Sequence, residues 1–166
     1  MAEEYEWNCR VYNVVDGDTV DAMIEVAPIA SEFWNVRILQ DERIRLLGID
    51  TPESRTRNRK EKKLGLQAKA ALKAMIAEAV TLKNRRKDIT VVTSREGRGK
   101  FGRVLGRLII NKSLGDAAFD VCDRLTEMSL ARPYFGGSKN ALGDWTTQGE
   151  DGQWLRWTKS GYVPLD

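Results

Sequence analysis

Apolar residues between positions 9 and 26 fall into two short runs, CRVYNVV and TVDAMIEV, parted by a tight Asp-Gly step. The second run alternates strictly, with Val20, Ala22, Ile24 and Val26 on one face, so the pair predicts a hairpin whose turn is made by Asp16 and Gly17. A third strand, RIRLLGID, covers 43–50 and is reached through a longer link, 27–42, that contains Pro28, Phe33 and Trp34. The period then changes. Residues 64–80, LGLQAKAALKAMIAEAV, contain no proline and predict a helix with Leu64, Ala68, Ala71, Met75 and Ala79 along its buried stripe. Two more strand-like runs, DITVVT and RVLGRLII, flank the glycine-rich SREGRGKFG, and residues 114–131 predict a second helix. From Tyr134 onward no period stands out.

Three strands, a helix, two strands and a helix make an α+β chain that is mainly β. Short strands and frequent bends suggest a closed barrel of five strands with two or three helices packed on it, the order of an oligonucleotide-binding barrel. A length of 166 residues, 42% of them hydrophobic, suits one domain over 1–166, with 135–166 as a Gly- and Trp-rich C-terminal extension. Trp145, Trp154 and Trp157 are expected to pack that extension over the barrel rather than to stack on bases.

Charge is distributed unevenly. The first 26 residues hold seven acids against Arg10 alone, whereas SRTRNRKEKK at 54–63 and KNRRK at 83–87 are strongly basic, although the net charge is only +3. Such runs are commonly solvated faces, but they also fit a polyanionic partner. Cys9 and Cys122 show no metal-binding spacing and are read as buried free thiols. With no histidine in the chain, imidazole-dependent hydrolysis and a zinc site of the usual kind are excluded. The N-terminus lacks the features of a signal peptide and no apolar run nears the ~20 residues of a membrane span, so a cytoplasmic protein without membrane contact is expected.

Chemistry must then come from carboxylates, arginines, lysines or a metal. A calcium-binding loop of the EF-hand kind starting at Asp16 fails, because Val20, Asp21 and Ala27 stand where an oxygen ligand, a glycine and a glutamate are required. What remains is the pair Asp16 and Asp18 in one turn and Asp50 and Glu53 in another, GIDTPES. Each cluster alone is explained by turn formation. Together they offer hard oxygen ligands suited to Ca²⁺ or Mg²⁺. Arg45 and Arg103 lie in strands among apolar neighbours, where a guanidinium calls for a carboxylate or phosphate partner. Arg45 and Asp50 are five apart, so strict alternation would put them on opposite faces unless Gly48 marks a bulge.

The ordered motifs VVDGDTV, RLLGIDTPE, a basic loop ending in LGLQA, and KFGRVLGRLII resemble those of the staphylococcal nuclease family, from about Arg10 to Tyr134. The resemblance implies that Asp18, Asp50 and the Thr51 carbonyl bind a metal, with Asp16 close by through water. It implies that Glu53 orients and helps deprotonate the attacking water, and that Arg45 and Arg103 grip the phosphate. Lys100 would contact a neighbouring phosphate. Phe101 replaces a tyrosine common in the family, and Tyr134 is placed where it either packs or stacks on a base. The implied activity is a Ca²⁺-dependent endonuclease, with Mg²⁺ or another divalent ion as alternative. It would cut single- or double-stranded DNA and RNA, as a monomer, and leave 3′-phosphate ends. The competing expectations are a nucleic-acid-binding barrel without catalysis and a basic adaptor whose carboxylates only bridge arginines.

Overall fold

The computed structural model describes residues 4–31, 34–80, 89–111 and 117–166. Three long strands come first: β1 (Glu4–Asp16), β2 (Thr19–Ser31) and β3 (Trp34–Leu46). The predicted link at 27–42 is instead strand over 27–31 and 34–42, since β2 and β3 stay paired out to Ser31 opposite Trp34, with a register shift between Glu25 and Ala27. Pro28, opposite Arg37, lies beyond Ile24, the last β2 residue that β1 pairs, so β2 has β3 on one side only there and a missing N–H is tolerated. Phe33 and the basic run 83–87 lie outside the described residues.

After a short β4 (Ile49–Asp50) comes α1 (Arg59–Val80), then β5 (Ile89–Arg98) and β6 (Val104–Ile110). Pairing runs β3-β2-β1-β5-β6, and β6 returns to β3 in parallel, which closes a ring of five strands. The expected oligonucleotide-binding barrel is thus present, with two α-helices among the described residues. Val20, Ala22, Ile24, Ile44, Leu46, Val91, Leu108 and Ile110 fill its interior. Alternation along β2 and β6 accounts for this: every second side chain faces inward.

Helix α1 starts five residues earlier than its apolar pattern predicts. The reason is Asn58, whose side-chain oxygen accepts from the Lys60 and Glu61 N–H groups and caps the helix, so half of the basic run becomes its first turn. Leu64, Ala68, Leu72, Met75, Ile76 and Ala79 are buried, and Ala71 is at the edge. The second helix is much shorter than predicted. Strand β7 (Phe119–Asp120) pairs with β6, and Asp120 then caps α2 (Val121–Glu127) by accepting from the Cys122 N–H at 2.7 Å. A capping aspartate inside the apolar pattern sets the boundary. Cys122 is buried and Cys9 half-buried, both are free, and burial pushes the Cys9 thiol up to about 12.

The C-terminal stretch without visible period is ordered. Strand β8 (Arg132–Pro133) pairs with β4, one 3-10 turn covers Lys139–Leu142, and β9 (Thr146–Gln148), β10 (Trp154–Thr158) and β11 (Gly161–Pro164) form a small antiparallel sheet. Trp145 meets Trp157 edge to face, with ring centroids 5.4 Å apart. Lys60 stands over Trp154 and Lys63 donates to the Asp166 carbonyl, so the segment rests on the start of α1. No described helix is long and apolar enough to cross a membrane.

Candidate active site

The last ladder pair of the first hairpin is Asp16 with Thr19, which leaves Gly17 and Asp18 at the tip. Asp16 accepts from the Gly17 N–H at 2.9 Å, and Thr19 donates its hydroxyl to Asp18 at 2.9 Å. Asp16 therefore shapes the turn that projects Asp18. Gly17 is required by space rather than by backbone angle: a Cβ there would lie 2.8 Å from the Ala68 Cβ and 2.9 Å from the Thr51 hydroxyl. The tip is thus pressed between α1 and the strand carrying the second acidic cluster. The Leu46 N–H donates to the Asp18 carbonyl at 2.8 Å, and the Thr51 N–H to an Asp18 carboxylate oxygen at 3.3 Å.

Asp50 reaches the same place because β3 ends at Leu46 and the chain turns through Leu47 and Gly48 before β4 begins. Gly48 has φ +82°, a conformation open to glycine and costly for other residues. In place of the bulge expected at Gly48 the strand breaks in a turn. Asp50 pairs in register with Arg132 of β8, and its side chain is almost completely buried.

Arg45 joins the two acids. Its Nη1 lies 2.8 Å from Asp18 Oδ2 and its Nη2 3.7 Å from Asp50 Oδ1. The other end of Asp50 meets Arg132 Nη2 at 3.3 Å, and Lys139 Nζ stands 2.6 Å from Asp50 Oδ1. Three cations thus surround one buried carboxylate. Oδ1 takes no directed hydrogen bond despite that ammonium.

Glu53 sits at the rim with its side chain 57% exposed, and its N–H donates to Glu61 in the first turn of α1. Gly65 lets the helix come this close: a Cβ there would be 2.6 Å from the Glu53 carbonyl carbon and from the Ser54 nitrogen. Partial burial raises the Glu53 carboxyl above its ordinary value; Lys139 draws it back, and Asp16, Asp18 and Asp50 push it up further. That coupling puts all four carboxylates in one electrostatic neighbourhood.

Arg103 does not join them. In the pairing that closes the ring, Ile44 lies opposite Val104 and both face the core, so Arg45 and Arg103 share the outward face. The Arg103 guanidinium, however, stands 5.5 Å from the centre of the exposed Phe101 ring and makes no ion pair among the described residues. Lys100 and Phe101 project from the turn between β5 and β6. Tyr134 touches the site from the other side: its N–H donates to the Gly48 carbonyl and its hydroxyl to the Gly137 carbonyl. Asp21 is committed elsewhere, held by Arg43 at 2.7 and 3.2 Å and by Asn13 at 2.8 Å.

Two participants escaped the sequence reading, Arg132 and Lys139. Arg132 is buried, donates to the Leu142 and Gly143 carbonyls and sits 4.2 Å from the centre of the Trp145 ring. It lies between Ala131 and Pro133, an arginine among apolar residues, so the rule applied to Arg45 would have flagged it.

Among the described residues no three acids group tightly enough to enclose an ion. The fit to a divalent cation rests instead on two carboxylates, Asp18 and Asp50, that face one guanidinium, and on a buried oxygen short of a hydrogen bond. A hard cation accepts such a pair when a carbonyl and water complete its shell. A cleft of about 280 Å³ opens beside it, lined by Asp50, Glu53, Glu61, Lys139, Asp144 and Thr146 among others.

No individual curated protein matches the chain. Residues 43–144, which carry Arg45, Asp50, Glu53, Arg103, Arg132 and Lys139, match the family described as Staphylococcal nuclease homologue. A five-stranded closed barrel, two acidic turns meeting at a strand arginine and a match over more than half its length place the chain in the staphylococcal nuclease homologue family.

Proposed function

We propose that this chain is a divalent-cation-dependent nuclease, a single domain acting as a monomer, that hydrolyses phosphodiester bonds of DNA and RNA and leaves 3′-phosphate ends. The observation that supports this best is the convergence of Asp18 and Asp50 on Arg45 at 2.8 and 3.7 Å. Asp18, Asp50 and the Thr51 carbonyl would hold the ion, Ca²⁺ by family resemblance, with Asp16 behind them. When bound, it supplies positive charge against the phosphate oxygens.

Glu53 accepts the proton of the attacking water. Its raised proton affinity makes it a better base than an exposed glutamate, and its place on the rim leaves it open to solvent. Arg45 and Arg103 offer guanidinium forks to the five-coordinate phosphorus, where charge builds. Arg45 must yield one of its carboxylate contacts to do so. The bond from phosphorus to the 5′ oxygen then breaks, that oxygen takes up a proton, and the phosphate stays on the 3′ side. Lys100, Phe101 and Tyr134 flank the approach, and the basic start of α1 attracts the strand in a salt-dependent way.

A second reading is a nucleic-acid-binding barrel without catalysis. It is favoured by the same ion pairs, because Arg45 already neutralises Asp18 and Arg103 stands over Phe101. Incubating plasmid, single-stranded DNA and RNA with the protein in Ca²⁺, in Mg²⁺ and in chelator separates the two. Cleavage that stops with chelator and in Asp50→Asn supports the nuclease. Binding without cleavage in any ion leaves the module.

A further inference from the structure

None of the roles implied by the family resemblance falls on Lys139, yet its ammonium is the closest cation to Asp50. The residue opens the 3-10 turn Lys139–Leu142. Its Nζ lies 2.6 Å from Asp50 Oδ1, 3.9 Å from Glu53 Oε1 and 5.9 Å from the centre of the Tyr134 ring. The two partners are unequal. Asp50 is 1% exposed and fixed by its strand, whereas the Lys139 side chain is 47% exposed, on a flexible stem that lines the 280 Å³ cleft.

A buried carboxylate is unfavourable without a cation beside it. Arg132 covers Oδ2 from within the protein, held there by Trp145 and two backbone carbonyls. Among the described residues Oδ1 has only the distant Arg45 nitrogen and the solvent-backed Lys139. Arg132 is therefore a permanent partner. Lys139 can leave.

Resting on the reading of Asp18 and Asp50 as cation ligands, we propose that Lys139 is an exchangeable counter-cation. Its ammonium holds Asp50 and Glu53 while no divalent ion is bound, and it passes to a substrate phosphate in the cleft when an ion takes Asp50. The exchange has two effects of opposite sign. Removing the ammonium helps the ion and harms the substrate. A lysine that merely braced the fold would weaken both or neither.

The test compares wild type, Lys139→Met and Lys139→Arg, full length. Calorimetric titration with CaCl₂ and with MnCl₂, without nucleic acid, should show Lys139→Met binding about tenfold tighter than wild type and Lys139→Arg close to wild type. On single-stranded DNA at saturating Ca²⁺, KM of Lys139→Met should rise about tenfold while kcat changes less. Equal or weaker ion affinity in Lys139→Met overturns the exchange. Tighter ion binding with unchanged KM overturns the transfer to phosphate. Ion-free melting is a separate readout: Lys139→Met should melt below wild type, and equal melting would mean that Asp50 does not rely on this ammonium. If wild type binds neither ion, the metal reading fails by itself, and a lower melting of Lys139→Met still identifies the ion pair.

Discussion

Arg132 sets its guanidinium carbon 4.2 Å from the centre of the Trp145 ring while its Nη2 reaches Asp50 at 3.3 Å. One buried arginine therefore links the C-terminal segment to the acid at the centre of the site. Trp145 is 6% exposed and also meets Trp157. Trp145→Ala should cost about 3–5 kcal/mol in urea unfolding, and Trp145→Phe distinctly less, because a ring keeps part of the contact. Loss of cation affinity should track the same order, since Asp50 loses its brace.

Glycine to alanine inside a helix ordinarily adds stability, about 1 kcal/mol. At Gly65 the sign should reverse. The new methyl would meet backbone atoms of Glu53 and Ser54 at 2.6 Å, and backbone has no rotamer to yield. Net destabilisation of about 1–2 kcal/mol is expected, with a fall in kcat as Glu53 is displaced. Exposed Gln67→Ala on the same helix should be neutral, which denaturant titration of both variants checks.

Arg45 and Arg103 should respond differently to lysine. Arg45→Lys keeps a charge between Asp18 and Asp50 but loses the fork that spans them, so kcat should drop about 100-fold and cation affinity should change as well. Arg103→Lys should lower kcat by a similar factor and leave cation affinity alone, because Arg103 touches neither acid. Single-turnover rates beside calorimetry decide between these outcomes; equal cation effects would contradict the geometry.

Acid should weaken the link between Asp21 and Arg43 on paired strands β2 and β3. Hydrogen bonds from Arg43, helped by Asn13, hold the Asp21 carboxyl below its ordinary value against the opposing effect of burial. A depressed folded value means that the link contributes fully above the unfolded value near 3.8 and is lost as pH falls through the lower folded value. Wild type should exceed Asp21→Asn by a constant margin at neutral pH. That margin should shrink below about pH 4, as paired unfolding curves would show.

What sequence could disclose followed the reach of each pattern. Asp18, Arg45 and Asp50 stand in short motifs whose residues are close in the chain, and strand alternation placed Val20, Ala22 and Ile24 correctly in the core. Arg132 and Lys139 meet Asp50 from more than 80 positions away, in a stretch with no helical or strand period, so no local rule could pair them with it. The outer β2–β3 pairing was missed because the stretch around Pro28 read as a link, and pairing between two arms is not a property of either arm. Where the Arg103 side chain turns was not legible either, because sharing a sheet face does not settle the direction of a long side chain.

The two-residue pairing of β4 with β8 has a consequence in the order of synthesis. Asp50 emerges early, but its register partner Arg132 and the tryptophan that steadies it come some 80 to 95 residues later. A growing chain thus carries its acidic turns, Arg45 and Glu53 well before it owns the residues that fix Asp50. Asp50 therefore gains its innermost cationic partner only after residues 132–145 have been made, so the acid precedes its brace in the order of synthesis.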